Sequence, residues 1–386
     1  MALLRRRVAR AVLCGGPVLT ATQSSSLRRP APRTSRATVR IGFVPMIDCA
    51  VLIAAQELGL FERHGVRVEL TREVGWATIR EKLLHKELNA AHAPCSMAFA
   101  IRCGIGVVPQ PCLTAFVLSL NGSAITLSTE MRNLGVCDAQ SLKRVIDRQR
   151  GQRIFHLGAV LELSTQNYHL RHWLRSGGID PDRDVRIPII PSPMIHRRLL
   201  EGHLDGYCAG EPWNSIAVLQ GGGFVVAHSA EIDPGMPEKI LLVLEEFAET
   251  HPDEHLAIVA ALMEASVFCQ APENRPELIA MLADPRYLDV SVRLLANSLI
   301  GPFDSGDGRG VPSDLITYSG NEANVPNRQK GRRIFDEISA LGVASECRAF
   351  RPDVIGKIFR EDLYAEACER SCEQGGLPER RSAEVL

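Results

Sequence analysis

Between residues 68 and 97 the sequence VELTREVGWATIREKLLHKELNAAHAPCSM packs a strand, a turn, a helix and a second strand into one unit, and that unit limits the folds open to the chain. Val68 and Leu70 mark the first strand, Gly75 the turn, residues 76–85 an amphipathic helix and residues 88–92 a second short strand. A helix that starts just after a strand aims free backbone N–H groups and the positive end of its dipole beyond the strand's carboxyl end. Such a place suits an anion. Trp76 stands at that start and allows two readings, an aromatic wall beside a small ligand or a tryptophan of the core.

The same alternation of short apolar runs with helical periods continues through the chain, which points to an α/β fold with mixed, mostly parallel sheets flanked by helices. Residues 41–44 read as the first strand, and Asp48 is placed to cap a helix carrying Leu52, Ala55 and Leu58 that stops near Gly59. Residues 112–120 read as one buried strand, and the Asn121-Gly122 dipeptide as a turn before residues 124–127. Helices are expected over 141–149, 164–175, 194–201, 253–270 and 273–283, and strands over 153–157, 185–190, 224–227 and 239–244. Residues 301–310 read as a loop, and the chain beyond about 346 as charged and peripheral. Residues 85–93 and 201–209 share a helix end, a leucine, an Asn or Asp and a small-residue strand, as two related lobes would.

Length and charge exclude several functions. A chain of 386 residues with 45% apolar content has ample core, and a net charge of −1 from 44 basic and 45 acidic side chains sets up no field to recruit nucleic acid or an anionic membrane. Any preference for an anion must therefore be local. No run of eighteen apolar residues suggests a transmembrane helix. Eleven cysteines without paired spacing lean towards a reducing, cytoplasmic setting, whereas the first forty residues, with nine arginines and no acid, lean towards export to the periplasm or a membrane surface. A signal, a transit peptide and an unprocessed leader all remain open for them. Cys368 and Cys372 lack a companion pair, so no metal is expected, and no cofactor either. No GxSxG, HExxH or phosphate-cradling GxxxxGK[ST] run occurs, so no enzyme is expected.

Several separate blocks carry a family resemblance, in order along residues 38–345. They are Ile41 to Pro45 with Asp48-Cys49-Ala50, Thr71-Arg72-Glu73 leading into Trp76 to Leu83, Glu87 to Ala93, Asn121 to Ser128, Gly206 to Asn214 and Pro237-Glu238-Lys239. Together they resemble the NrtA/CmpA-like family of solute-binding proteins for nitrate, nitrite or bicarbonate, which includes free-standing nitrate sensors. The resemblance implies a two-lobe, type II periplasmic-binding-protein fold that closes on its ligand like a hinge. It divides the chain into a leader (1–37), a first lobe (38–122 and 234–345), a second lobe (123–233) and a C-terminal extension (346–386).

It also implies an anion site in the cleft between the lobes, built from Trp76, Asn121, Gly122, Ser123, Ser164, Thr165, Gln166, Gly210, Trp213 and Lys239. Lys239 is the sharpest of these, since one buried ammonium plus neutral donors suffices for a flat monovalent oxyanion. In the family, Lys at this point goes with nitrate or nitrite, and an acid working with a metal cation goes with bicarbonate. Gln166 and Ser123 depart from the family's pattern, and Glu211 is expected as a hinge or cap residue, because its charge would repel an anion. Two roles follow from the resemblance: a receptor that hands nitrate or nitrite to an ABC permease, and a cytosolic sensor that controls an RNA-binding antiterminator. A thiamine-pyrimidine synthase-like enzyme of the wider superfamily is a third reading, without its cysteine-rich block here.

Overall fold

The computed structural model describes residues 38–311 and 315–373; the arginine-rich leader, 1–37, and residues 374–386 lie outside the described residues. The chain first lays down β1 (Thr38–Phe43), β2 (Arg67–Arg72), β3 (Ala90–Pro94), β4 (Cys112–Leu113) and β5 (Val117–Asn121). It then builds β6 (Ser123–Ser128), β7 (Phe155–Gly158), β8 (Val185–Arg186), β9 (Gly206–Gly210) and β10 (Gly223–His228). It returns with β11 (Pro237–Leu244), a small hairpin of β12 (Phe303–Asp304) and β13 (Gly310–Val311), and β14 (Ile316–Thr317).

These strands form two main sheets. One has the order β14-β5-β11-β3-β1-β2, with β4 beside β11, and the other β10-β6-β9-β7-β8. The two-lobe α/β architecture is thus as expected, but the parallel share is smaller. Among the described residues, parallel ladders are confined to β2-β1-β3 and β8-β7-β9. β5, β6 and β11 run antiparallel to their neighbours, and β6 and β11 are each reached by a short link from the other sheet and not by a helical crossover within one.

The outward link is one residue long. Gly122 alone separates β5 from β6, at φ +94°, and a Cβ there would lie 2.9 Å from Ile316 Cδ1. Asn121 before it is also left-handed, at φ +55°. Its side-chain amide donates to Asp233 O at 3.0 Å and its Oδ1 accepts from Gly235 N at 2.8 Å, so it ties the outward link to the return link.

The first sheet is covered by helices Ala50–Glu57 and Pro252–Gln270 among others, and the latter is apolar almost all round because it runs through the core. Among the described residues no single helix is long and apolar enough to cross a membrane. The run over 112–120 is split in two because Thr114 turns aside: its N donates to Ile358 O and its O accepts from Arg360 N. That detour anchors the segment expected to be peripheral. Val354, Ile355, Ile358 and Phe359 are buried, and the Phe350 ring stacks on Phe335 at 4.2 Å, so the charges of this segment form only its outer side. Pro188, with no N–H to give, cuts the strand expected over 185–190 down to Val185–Arg186. Residues 303–311 contain the β12–β13 hairpin instead of an open loop.

Candidate functional site

Lys239 and the residue before it owe their positions to an irregularity in β11. Pro237 pairs with Leu120, Lys239 with Ser119 and Ile240 with Val117, so Glu238 is an extra residue opposite no partner in β5. In a regular strand Glu238 and Lys239 would point to opposite faces. A bulge re-aims side chains, and here the Lys239 Nζ donates to Glu238 Oε1 at 2.7 Å.

Asp48 provides the second carboxylate, 2.8 Å from Lys239 Nζ. It sits in the single turn Ile47–Cys49 that leaves β1, and the helix after that turn has no side-chain cap. Asp48 therefore does not cap, as the sequence suggested; it is drawn inward by charge. Its other oxygen lies 2.9 Å from His92 Nε2 on β3. The Trp76 ring, fixed at the start of helix Trp76–Leu84, lies 5.3 Å from both Lys239 Nζ and the His92 ring. Lys239 and His92 are fully buried, Trp76 is 3% exposed and Asp48 3%. Trp76 is thus both a core residue and a wall of the charged cluster.

Burial alone would push the Asp48 carboxyl up, but the Lys239 ammonium and His92 pull it down to about 2. Burial likewise opposes charge on Lys239, yet Asp48 and then Glu238 hold its ammonium well above the ordinary range. His92 is pushed down by burial, which leaves a neutral imidazole at neutral pH. The expected lone ammonium is corrected accordingly: two carboxyl groups stand against one Lys239.

The second sheet reaches the cluster through the start of helix Thr165–Ser176. Thr165 Oγ1 donates to Glu238 Oε2, and Gln166 Nε2 to Glu238 Oε1 at 2.6 Å. Gly210, at the end of β9, lies next to Asp48: a Cβ there would stand 3.7 Å from Asp48 Oδ2 and 2.3 Å from Met46 Cε. A backbone bond from Ile47 N to Glu211 O at 3.0 Å adds a further tie between the sheets. Glu211 itself caps helix Trp213–Leu219 through Ser215 N at 3.1 Å and accepts from Ser298 Oγ at 2.8 Å, while burial raises its pKa.

Of the residues expected in the site, Trp76, Lys239, Thr165, Gln166 and Gly210 come together around Asp48 and Glu238. Ser123 lies at the edge, its Oγ 3.5 Å from His169 Nδ1 and its N donating to Ser229 Oγ at 3.2 Å. Four others are engaged elsewhere. Ser164 caps its own helix, accepting from Asn167 N and donating to Leu161 O. Asn121 and Gly122 form the link described above. Trp213 stacks on His196 at 5.2 Å. Sequence reasoning missed Asp48, His92, Glu238 and His169 as members of the cluster. The signal for Glu238 was an acid beside a lysine at the head of an apolar strand, right after Pro237.

What the cluster offers a ligand follows from its unused atoms. Trp76 Nε1, His92 Nδ1, Ser119 Oγ, Gln166 Oε1 and His169 Nε2 are buried without a hydrogen-bond partner. Burial lowers the pKa of His169 as well. An ammonium has three N–H donors, of which Asp48 and Glu238 take two, so one remains. Among the described residues no group of three or more His, Cys, Asp or Glu side chains is arranged for a metal ion.

Comparison with known proteins places the chain in a family. The NMT1-like family matches residues 33–283. The nitrate import ATP-binding protein NrtC of Synechocystis sp. is 36% identical over 85% of this chain, which spans about half (49%) of that protein's length. The nitrate/nitrite binding protein NrtA of Synechococcus elongatus is 28% identical over 95% of this chain and 86% of its own. The crystal structure of the periplasmic nitrate-binding protein NrtA from Synechocystis PCC 6803 superimposes with a TM-score of 0.82 at 24% identity, covering 87% of this chain and 90% of that one. With its periplasmic-binding-protein fold, the chain belongs to the NMT1-like family, among the NrtA/CmpA-like solute-binding proteins.

Proposed function

We propose that this protein binds a small monovalent oxyanion between its two sheets, nitrate or nitrite in the first instance, as the substrate-binding component of an ABC import system. One observation carries the reading: the Lys239 ammonium is fully buried where the sheets meet, with one donor unspent, beside the unpartnered indole N–H of Trp76. Donors closed off from water bind an oxyanion far more strongly than they would at a surface. The same groups position and neutralise; none is set up as a nucleophile or a general base, so the ligand leaves as it entered. In a Trp173→Phe, Trp213→Phe background, nitrate or nitrite should change the fluorescence of Trp76 saturably. An unresponsive Trp76 in a folded protein contradicts the reading.

A specific observation favours a second role for the same site. The relatives named for ATP binding are more similar to this chain (36% for NrtC) than the binding proteins NrtA (28%), and this chain matches about half of their length. An ATP-binding subunit works where ATP is, so a domain joined to it meets the anion pool of that side, as a sensor does. In that role the partner is a cytosolic regulator such as an antiterminator, in place of a permease. N-terminal sequencing of the protein from its native host separates the two. A mature start beyond about residue 21 in material from outside the cytoplasm excludes the sensor, and an intact leader in cytosolic material excludes the receptor.

A further inference from the structure

Two cysteines 244 residues apart in sequence meet beside the first sheet. Cys103 ends helix Cys95–Cys103, just before Gly104 turns the chain at φ +75°. Cys347 lies in a turn of the C-terminal segment, its N bonded to Ala344 O at 3.0 Å. Cys347 Sγ donates to Cys103 O at 3.1 Å, and Cys103 Sγ to Ala349 O at 3.6 Å, so each thiol reaches across to the other's segment. By bond geometry, a sulfur that close to the carbonyl oxygen lies within about 5.5 Å of the Cys103 Cα. Contacts that do not involve the thiols hold the two segments in register. Phe99, one turn before Cys103, has its ring 6.2 Å from that of Phe350, three residues after Cys347, and 6.1 Å from that of Phe359. Arg102 Nη1 adds bonds to Cys112 O at 2.8 Å and Lys357 O at 3.4 Å. The thiols differ in access: Cys103 is buried and Cys347 partly exposed.

We propose that Cys103 and Cys347 are a modification site, a thiol pair that a small disulfide oxidant such as oxidised glutathione converts into a crosslink fastening the C-terminal segment to the first sheet. The crosslink is open in a reducing compartment and closed in an oxidising one. The partly exposed Cys347 sheds its proton and its thiolate attacks one sulfur of the oxidant, leaving a mixed disulfide and expelling one thiolate, which takes up a proton. Cys103 then sheds its proton and attacks Cys347 Sγ, closing the protein disulfide and expelling the second thiolate, which is protonated in turn. Two protein thiols are oxidised, and one disulfide is reduced to two thiols. Burial, and then Cys347, pushes the Cys103 thiol up to about 11, so Cys103 reacts poorly with oxidant from solution and is reached through the neighbour held beside it. A crosslink over so long a stretch of chain restricts the unfolded state more than a short one does. The proposal is independent of which anion, if any, the cleft takes.

The test takes the purified full chain through glutathione buffers from fully reduced to mostly oxidised, then quenches with acid, alkylates and digests with trypsin without reduction. Cleavage after Arg102, Arg132, Arg333 and Arg348 gives fragments 103–132 and 334–348, expected as one joined species from oxidised protein and as two from reduced protein. Fragment 103–132 also carries Cys112, so fragmentation of the joined species assigns the bond within the wild type, with no variant needed. Cys103→Ser should lose the joined species and stop at a glutathione adduct on Cys347. The crosslinked wild type should melt about 4 °C or more above the reduced protein. Fragments that stay separate in folded, oxidised wild type overturn the proposal, as does Cys347 joined to a cysteine other than Cys103. A joined species that melts no higher than the reduced protein overturns the fastening.

Discussion

Two ion pairs in this molecule have the same length and opposite significance. Lys239 Nζ stands 2.8 Å from Asp48 Oδ2, and Arg150 Nη2 stands 2.8 Å from Asp147 Oδ1. The side chains of the first pair are 0% and 4% exposed, those of the second 61% and 47%. At the surface, water and salt screen the contact, and holding two long side chains together offsets much of what is gained. Between the sheets no water competes, so each charge depends on its partner for solvation. Distance alone therefore says little about what a pair does; burial decides whether it can hold a ligand.

The comparison breaks most sharply at Lys239. Lys239→Ala leaves Asp48 and Glu238 buried against each other without a cation, and urea unfolding should show a loss of about 3–5 kcal/mol. A loss no larger than that of a surface substitution would mean that the cluster opens to water. Next comes acid. Asp48 is held at about 2 against an ordinary value of 3.8, so its contribution is present above about 3.8 and is lost as pH falls through 2. By the size of that shift it amounts to about 2 kcal/mol. Asp48→Asn should lack this part of the acid dependence in pH-resolved unfolding.

A third effect runs the other way. Burial, with Asp233 and Glu238 nearby, pushes Glu337 up to about 9, so its carboxyl keeps its proton in the fold. Such a group supports the fold fully below about 4.5 and loses that support as pH rises towards 9. Glu337→Gln should therefore raise stability at pH 8 by at least about 1 kcal/mol and change little at pH 4. A gain equal at both values would trace to packing instead. At the small end, Arg150→Ala should leave the melting temperature unchanged within error, which is the surface half of the comparison.

The same contrast explains how much was legible in the sequence. Periodicity gave the strand-helix-strand unit at 68–97 and the helices 253–270 and 273–283, because apolar spacing is a local property. The turn at Asn121-Gly122 was readable for the same reason: Gly122 needs a positive φ, and the dipeptide announces it. The cluster was half legible. Trp76 and Lys239 stood out through the family resemblance, but Asp48 looked like a helix cap, a role it has the right type and place for. Only the tertiary structure shows that a buried ammonium claims it. Glu238 was hidden by the alternation rule, which puts neighbours on opposite faces, and the bulge that overturns that rule depends on pairing with β5. The C-terminal segment was misjudged because its charges are visible in sequence, while the pockets that take Phe350 and Phe359 are made by distant residues.

The central claim, that an oxyanion is held by the buried Lys239 between the two sheets, is tested most directly by titrating the wild type and Lys239→Met with nitrate, nitrite, hydrogen carbonate and sulfate at constant ionic strength. The account predicts saturable one-to-one binding of at least one of the flat monovalent anions by the wild type, none of sulfate, and no binding by a Lys239→Met protein that still melts cooperatively. The same affinity in Lys239→Met as in the wild type would contradict it.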